Sequence, residues 1–286
     1  MKARRHATAA NSDRGSSVEA AIRGFYDREG WELDESDTFA DTRRWGASLP
    51  AHKAHGCRVV GDIKVLFEGG GTFFLNCGCG PFTDAAMAVS DGYRRRICLD
   101  ISGRALEICR GKLGSQGAYL CGSMIHLPLP DSLADGTFCE HVLYHVEKSE
   151  QENAVRELIR VTKPGAPIVI IYSHPFSPLN MVENVLRFFG ITKLLGDRKL
   201  YFFRWRLQWW QRFADHCDVE IRPYDPISAR QASVLLRNER IAQGFFRICR
   251  WLEARWPGLA VRLWNYPMIV LTKRHEDGCL PKRGIS

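Results

Sequence analysis

The sequence is short of the features that would place it in several common classes. No apolar run approaches the roughly 20 residues that cross a bilayer, so no membrane-spanning helix is expected. There is no CxxC pair among the ten cysteines, and no His/Cys group at zinc-site spacing. Cys77 and Cys79, one residue apart, suit neither a disulfide nor two ligands of one metal. No internal repeat or low-complexity tract is present, which excludes solenoids and linker-like chains. The opening stretch MKARRHATAANSDRGSS is basic and lacks the apolar run of a secretory signal. Residues 1–16 therefore read as a disordered basic tail, and the protein as cytoplasmic and reduced. Cys77, Cys98, Cys121 and Cys139 fall in or beside apolar runs, where they are expected to behave as small buried hydrophobes.

What is present is the composition of a globular protein. The chain has 286 residues, 45% hydrophobic and 25% charged, enough for one large α/β domain or a core with an inserted cap. A formal net charge of +8 favours an anionic partner such as a nucleic acid, a phosphorylated metabolite or a membrane surface. Much of that excess lies in the first tail and the second half, so it says little about the core.

Hydrophobic periodicity divides the chain. Residues 17–67 form a helical lead-in or lid: SVEAAIRGFYDREGWELD places Ala20, Ile22 and Phe25 on a helix that ends near Gly30, and a second helical segment runs from His52 to Phe67. EGGG (Glu68–Gly71) breaks the pattern. Residues 68–174 then alternate strands and helices, with TFFLNCG, RRICLDIS, AYLCGS, ADGTFCEHVL and APIVIIYSH as the strands. Such apolar runs with crossover helices read as buried parallel strands in a doubly wound sheet. Residues 175–265 read as a helical cap and substrate region that includes a strand near 218–224. Residues 266–274 close the core as a final strand, and 275–286 read as a flexible tail.

The strand ending in FFLNCGCGP carries the first chemical signal. Gly78 and Gly80 permit dihedrals closed to other residues and remove Cβ atoms, so backbone can approach a ligand at the carboxyl end of the strand. A dinucleotide fold would need GxGxxG; here Pro81 and Phe82 follow and the third glycine is missing, which argues against NAD. The next strand ends in Asp100, about twenty residues on, where a carboxylate can accept both hydroxyls of a ribose. The competing reading is that Asp100 merely caps the helix that starts near Gly103.

Five segments, NCGCGP, CLDIS, SMIHLPLP, HVLYHV and ELIRVTKPGA, occur in an order and at gaps that resemble the class I S-adenosylmethionine-dependent methyltransferases, especially the branch acting on small molecules. The lead-in FYDREGW…DTR is similar to the helix that covers the cofactor in one subgroup. The resemblance implies a Rossmann-like seven-stranded, mostly parallel sheet with a helical cap, S-adenosylmethionine as cofactor, S-adenosylhomocysteine as product and no metal. It places Asp100 at the ribose, Gly78 and Gly80 near the methionine portion, Ser123 and Met124 beside the adenine and Tyr26 over the cofactor, with Asn76, Cys79, Pro81, Ile101 and His141 as further cofactor contacts. Asp41 and Arg43 are weaker lead-in candidates. Asn76 and Ser123 depart from the family, which usually has acidic residues at both places; each keeps hydrogen-bonding capacity but loses charge.

Methyl transfer needs alignment above all, and a base only where the acceptor must lose a proton. His145 is the candidate base, His141 a catalytic or cofactor-positioning group, and His174 a second candidate base; the rival reading for each is a packing or capping histidine. If EHVLYHV is helical, His141 and His145 share a face. Tyr144 is a candidate substrate wall or a core aromatic. The stretch RKLYFFRWRLQWWQRF reads as helical and interleaves Arg198, Lys199, Arg204, Arg206 and Arg212 with Tyr201, Trp205, Trp209 and Trp210. It fits a cap over an acceptor pocket, with Tyr201 and Arg204 touching an anionic acceptor. A membrane surface, RNA and a plain packed helix are the rival readings. Farther on, Phe245, Phe246, Ile248, Trp251 and Leu252 are expected to pack onto that segment. The resulting expectation is transfer to an oxygen or nitrogen of a small or lipid-linked metabolite, with no DNA partner; an RNA methyltransferase and a non-catalytic cofactor-binding relative are the alternatives.

Overall fold

The computed structural model describes residues 17–32, 39, 49–190 and 200–275. The tail at 1–16, all but the first residue of the tail at 275–286, and Asp41, Arg43, Arg198 and Lys199 lie outside the described residues.

The lead-in begins with α1 (residues 17–25) and widens into a π-helical turn at Tyr26–Gly30. Helix α2 (Pro50–Leu66) starts with proline at its first position, where a missing N–H is harmless. The core then follows as β1 (Gly71–Cys77), α3 (Asp84–Val89), β2 (Tyr93–Asp100), α4 (Gly103–Leu113), β3 (Gly117–Cys121), β4 (Gly136–Glu140), α5 (Gln151–Val161) and β5 (Pro167–Ile171). After β5 come α6 (Pro178–Phe188), β6 (Cys217–Asp225), α7 (Ala229–Leu235), α8 (Glu239–Arg255), α9 (Pro257–Leu263) and β7 (Tyr266–Lys273). Thr83, Ser102, Ser177, Ser228 and Asn238 each cap the helix that follows, accepting from backbone N–H groups that the first turn leaves unpaired.

All seven strands form one sheet in the order β3-β2-β1-β4-β5-β7-β6, with β7 antiparallel to both neighbours and the other pairings parallel. Consecutive residues face opposite sides of a strand, and both sides are buried. Leu75, Cys139, Ile170 and Leu271 pack with Leu158, Trp210 and Phe213 on one side. Phe74, Phe138, Val169 and Val270 pack with Ile63, Phe67 and Leu106 on the other. This explains why the strands read as continuous apolar runs. The strand order reverses between β1 and β4, and in such sheets ligands lie outside the carboxyl ends at that point.

Four expectations need correction. The stretch 201–206 has no regular secondary structure, and only Leu207–Phe213 winds, as a 3-10 helix with Trp209, Trp210 and Phe213 buried. EHVLYHV is not one helix: Leu143–His145 is a single 3-10 turn and His141 before it has φ +59°, so His141 and His145 do not share a helical face. Phe246 packs against His52 and His55 of α2, while Ile248 and Trp251 point to solvent. Cys121 is exposed, because β3 is an edge strand.

Candidate active site

Beyond Cys77 the chain turns sharply over β2, with the Gly78 and Cys79 N–H groups both donating to the Leu99 carbonyl at 2.7 and 3.0 Å. Gly78, Gly80 and Phe82 all have positive φ, at +69°, +50° and +56°. A Cβ on Gly78 would lie 2.4 Å from Val142 Cγ2, and one on Gly80 would meet the Trp31 indole at 3.3 Å. Both glycines are thus required by backbone conformation and by close approach.

Asp100 closes β2 against this turn. Its Oδ2 accepts from Gly80 N at 2.8 Å and its Oδ1 from Ser102 N at 2.9 Å, so one carboxylate ties the glycine turn to the start of α4. Burial pushes the carboxyl up to about 6, against the pull of the backbone N–H donors. It is more than the helix cap considered from the sequence, a role Ser102 fills.

The lead-in covers this region. Arg23 Nε donates to the Ile101 carbonyl at 3.1 Å, Ser102 Oγ donates to Asp27 at 2.7 Å, and Ser123 Oγ donates to Glu19. Tyr26 stacks on Trp31 with ring centroids 5.0 Å apart, and Trp31 lies over Gly80. Tyr26 therefore reaches the glycine turn through Trp31, which the sequence reading had passed over. Asn76 and Met124 are buried at the carboxyl ends of β1 and β3, Met124 within the core.

Residues present here fit an adenosyl cofactor. The turn offers backbone free of Cβ atoms, Asp100 offers two acceptor oxygens, and the indole Nε1 of Trp31 is sealed from solvent without a partner among the described residues. Asp100 would hold the ribose, Gly78 to Gly80 the methionine portion, and Ile101 and Ser123 the adenine side.

The three candidate histidines diverge. His141 leaves β4 with its Nδ1 buried and unpartnered among the described residues, packed edge-on against Tyr266 at 4.9 Å and Tyr224 at 5.9 Å. Burial lowers its pKa, with Glu140 and Asp225 pulling the other way, so it is neutral at physiological pH. His145 instead shares its Nδ1 with the Tyr201 carbonyl at 2.8 Å and packs on Tyr144 and Phe202. That contact gives His145 and Tyr201 a joint structural task, reinforced by the Lys148 N–H donating to Tyr201 Oη at 3.0 Å. Tyr144 is buried in the core, the plainer of its two readings.

His174 is buried, and desolvation together with the Arg204 charge pushes it down to about 4, far below a base suited to neutral pH. Arg204 itself donates to Ser173 Oγ at 3.2 Å and Asn184 Oδ1 at 3.3 Å. A histidine whose folded pKa is depressed supports stability above its ordinary value of 6.5, and that support is lost as pH falls through 6.5 towards 4. The melting temperature is therefore expected to drop over this window, and less so in His174→Gln. Parallel pH profiles for the two proteins would refute this role for His174.

Tertiary structure also assembles groups that the sequence reading missed. A bulge in β6 at Tyr224 re-aims that residue so that its Oη donates to Glu140 at 3.1 Å, and Thr83 Oγ1 donates to the other Glu140 oxygen at 3.2 Å. His52 Nε2 lies 2.8 Å from Asp225 Oδ2, and His55 Nε2 lies 3.1 Å from the Tyr224 carbonyl. The Asp225 contact raises the His52 pKa although burial opposes it. The result is a belt of Glu140, His141, Tyr224, Asp225 and His52 along the carboxyl edge of the sheet. Asp225 was open to the logic applied to Asp100, since it too ends a strand.

Two other groupings lie apart from this belt. The thiols of Cys79, Cys98 and Cys109 come within 4.8 Å of one another beneath the glycine turn, where Cys109 also donates to the Gly80 carbonyl at 3.1 Å. Sequence spacing gave no sign of this cluster. A surface hollow of about 340 Å³ is lined by Glu147, Glu152, Trp205, Trp209 and Arg212 among others, and none of the cofactor-site residues borders it.

Comparison with known proteins fits this geometry. Residues 75–170 match the family described as "Methyltransferase domain". Ajmaline N-methyltransferase of Rauvolfia serpentina is 29% identical over 94 residues, which is 31% of either chain, so the match spans about a third of that relative. Magnesium protoporphyrin IX methyltransferase of Synechocystis, solved with S-adenosylhomocysteine bound, superposes with a TM-score of 0.56 at 12% identity, covering 90% of this chain and 100% of that one. The N-methyltransferase NodS of Bradyrhizobium japonicum, also with S-adenosylhomocysteine, gives a TM-score of 0.52 at 11% identity, covering 90% and 98%. At such identities the superpositions speak for the fold.

Proposed function

We propose that this chain, whose residues 75–170 match a methyltransferase domain, is a class I S-adenosylmethionine-dependent methyltransferase that transfers the methyl group to an oxygen or nitrogen of a small or lipid-linked acceptor. The observation that carries this reading is the belt of ionisable and hydroxyl groups beside the cofactor turn, centred on the unpartnered Nδ1 of His141. The partial match to ajmaline N-methyltransferase supports a small acceptor. We place the protein in the cytoplasm; among the described residues no helix is long and apolar enough to cross a membrane.

Bound S-adenosylmethionine would supply an electrophilic methyl on a positively charged sulfur, with S-adenosylhomocysteine as the leaving group. The chain's part is to hold the ribose on Asp100, close the lead-in over the turn through Asp27 and Trp31, and exclude water. His141, neutral because it is buried, offers a ring nitrogen to the acceptor's O–H or N–H and takes the proton as the new bond forms. Glu140 and Tyr224, bonded to each other, fix the wall beside it.

Calorimetry should show micromolar binding of S-adenosylmethionine and S-adenosylhomocysteine and none of NAD. With a labelled methyl donor and a panel of amine and hydroxyl acceptors, His141→Gln should lower turnover by about 10²- to 10⁴-fold while cofactor affinity holds. Loss of cofactor affinity equal to the loss of turnover would make His141 a binding residue only. An RNA methyltransferase would instead carry copurifying nucleic acid and bind it with steep salt dependence.

A further inference from the structure

Helix α8 carries apolar residues on two adjoining sides. Ala242, Phe246 and Cys249 face inward, where Phe246 packs on His52 and His55. Ile241, Ile248 and Trp251, spaced seven and then three apart, form a stripe turned to solvent, with exposures of 61%, 60% and 57%. Trp256, just beyond the helix, meets Trp251 edge-on at 5.1 Å, and Leu259 on α9 extends the apolar surface.

The charge around this stripe has one sign. Residues 229–263 contain seven arginines and two glutamates. Glu253 is turned inward, to Arg58 at 2.6 Å and Trp264 Nε1 at 2.9 Å, and Glu239 is half-buried with one carboxylate oxygen sealed. Arg240, Arg247, Arg250 and Arg255 are exposed and have no carboxylate partner among the described residues; Arg255 lies over the Trp256 ring. A second copy of the chain would bring cation against cation, which opposes self-association through this face. RNA would match the arginines but leave the exposed isoleucines and leucine in contact with phosphate and water. A bilayer with anionic headgroups matches both, because aliphatic side chains and tryptophans enter the interface while arginines remain at headgroup level.

We propose that the outward face of α8 and α9 seats the protein on an anionic membrane surface, with Ile241, Ile248, Trp251 and Trp256 inserted and Arg240, Arg247 and Arg255 on the lipid headgroups. Because the inner side of the same helix touches His52 and His55, this mode of binding would bring the carboxyl-edge belt within one helix thickness of the bilayer. On the methyltransferase reading given above, this favours an acceptor drawn from the lipid phase.

Flotation tests the surface without requiring an acceptor. The full-length protein should float with vesicles of equimolar phosphatidylcholine and phosphatidylglycerol, stay behind with phosphatidylcholine alone, and detach as salt is raised. Arg240→Glu with Arg247→Glu, and separately Ile248→Ser with Trp251→Ala, should each weaken anionic-vesicle binding by at least about tenfold. Both double variants should keep the wild-type melting temperature and S-adenosylhomocysteine affinity, since these positions are exposed and remote from Asp100. Absence of flotation, flotation unchanged in both variants, or retention on RNA but not on vesicles would each overturn the proposal. Failure of S-adenosylhomocysteine binding in the wild type would refute the methyltransferase reading and leave the membrane result standing.

Discussion

Asp100→Asn is expected to fold normally and to bind S-adenosylhomocysteine roughly ten- to a hundredfold more weakly than the wild type, the loss of a charged hydrogen-bond acceptor at a buried site. The carboxylate is 8% exposed and is pushed up to about 6 from an ordinary 3.8. A folded pKa raised in this way supports stability below 3.8, and that support is lost as pH rises through about 6. At neutral pH, holding this charge therefore costs about 3 kcal/mol. The amide avoids that cost but can accept only through one oxygen, so one of the two backbone bonds from Gly80 and Ser102 weakens. These effects oppose each other, and at pH 8 the variant should melt within a few degrees of the wild type. Affinity in the wild type should also fall as pH drops below about 6, approaching tenfold per pH unit, because a proton must leave before both oxygens can accept. Calorimetry on the two proteins across this range checks both statements; an Asn variant that binds normally, or a pH-independent wild type, would refute the ribose assignment.

Gly78→Ala should be the more damaging change for the fold itself. At φ +69° an L-residue carries about 1–2 kcal/mol of strain, and the new methyl would sit 2.4 Å from Val142 Cγ2 and 2.9 Å from its Cβ. Since Cβ as well as the methyls is too close, a rotamer change cannot relieve the overlap, and Val142 must move. Overpacking of this kind adds about 1–3 kcal/mol, for a fall in melting temperature of about 5–15 °C. Moving Val142 also disturbs its neighbour His141, so cofactor binding and turnover should both collapse. Gly103→Ala is the control: no neighbour lies within 4 Å of its Cβ position and its φ is ordinary, so stability should hold or rise slightly. Equal melting temperatures for Gly78→Ala and wild type would show that the turn relaxes more easily than its geometry implies.

The glycine turn and its carboxylate, proposed above to hold the cofactor, were legible because they are local. A turn, a strand end and a helix start lie within thirty residues, and the chemistry of Gly78, Gly80 and Asp100 depends on backbone conformation and on position along a strand. The belt proposed to face the acceptor was not legible. His52, Glu140, Tyr224 and Asp225 come from a lead-in helix, a central strand and the edge strand β6, and the bulge at Tyr224 that completes the belt has no sequence signature of its own. The histidines show the same division. His141, His145 and His174 are alike as residue types after apolar strands. They are separated by an Nδ1 without a partner among the described residues, a bond to the Tyr201 carbonyl and the nearby Arg204 charge.

By itself the sequence determined the doubly wound sheet, and it singled out the glycine turn and the strand-end carboxylate that the structure brings together. Strands buried on both sides must be written as apolar runs, and a ligand approached by backbone must be met by glycine. Tertiary structure alone decided that the His141 Nδ1 is buried without a partner among the described residues, that Trp31 rather than Tyr26 lies on the glycine turn, that three distant cysteines share one cluster, and that Ile248 and Trp251 face solvent. Each of these depends on which side of an element its neighbours leave uncovered, and periodicity along one chain carries no information about what packs against it.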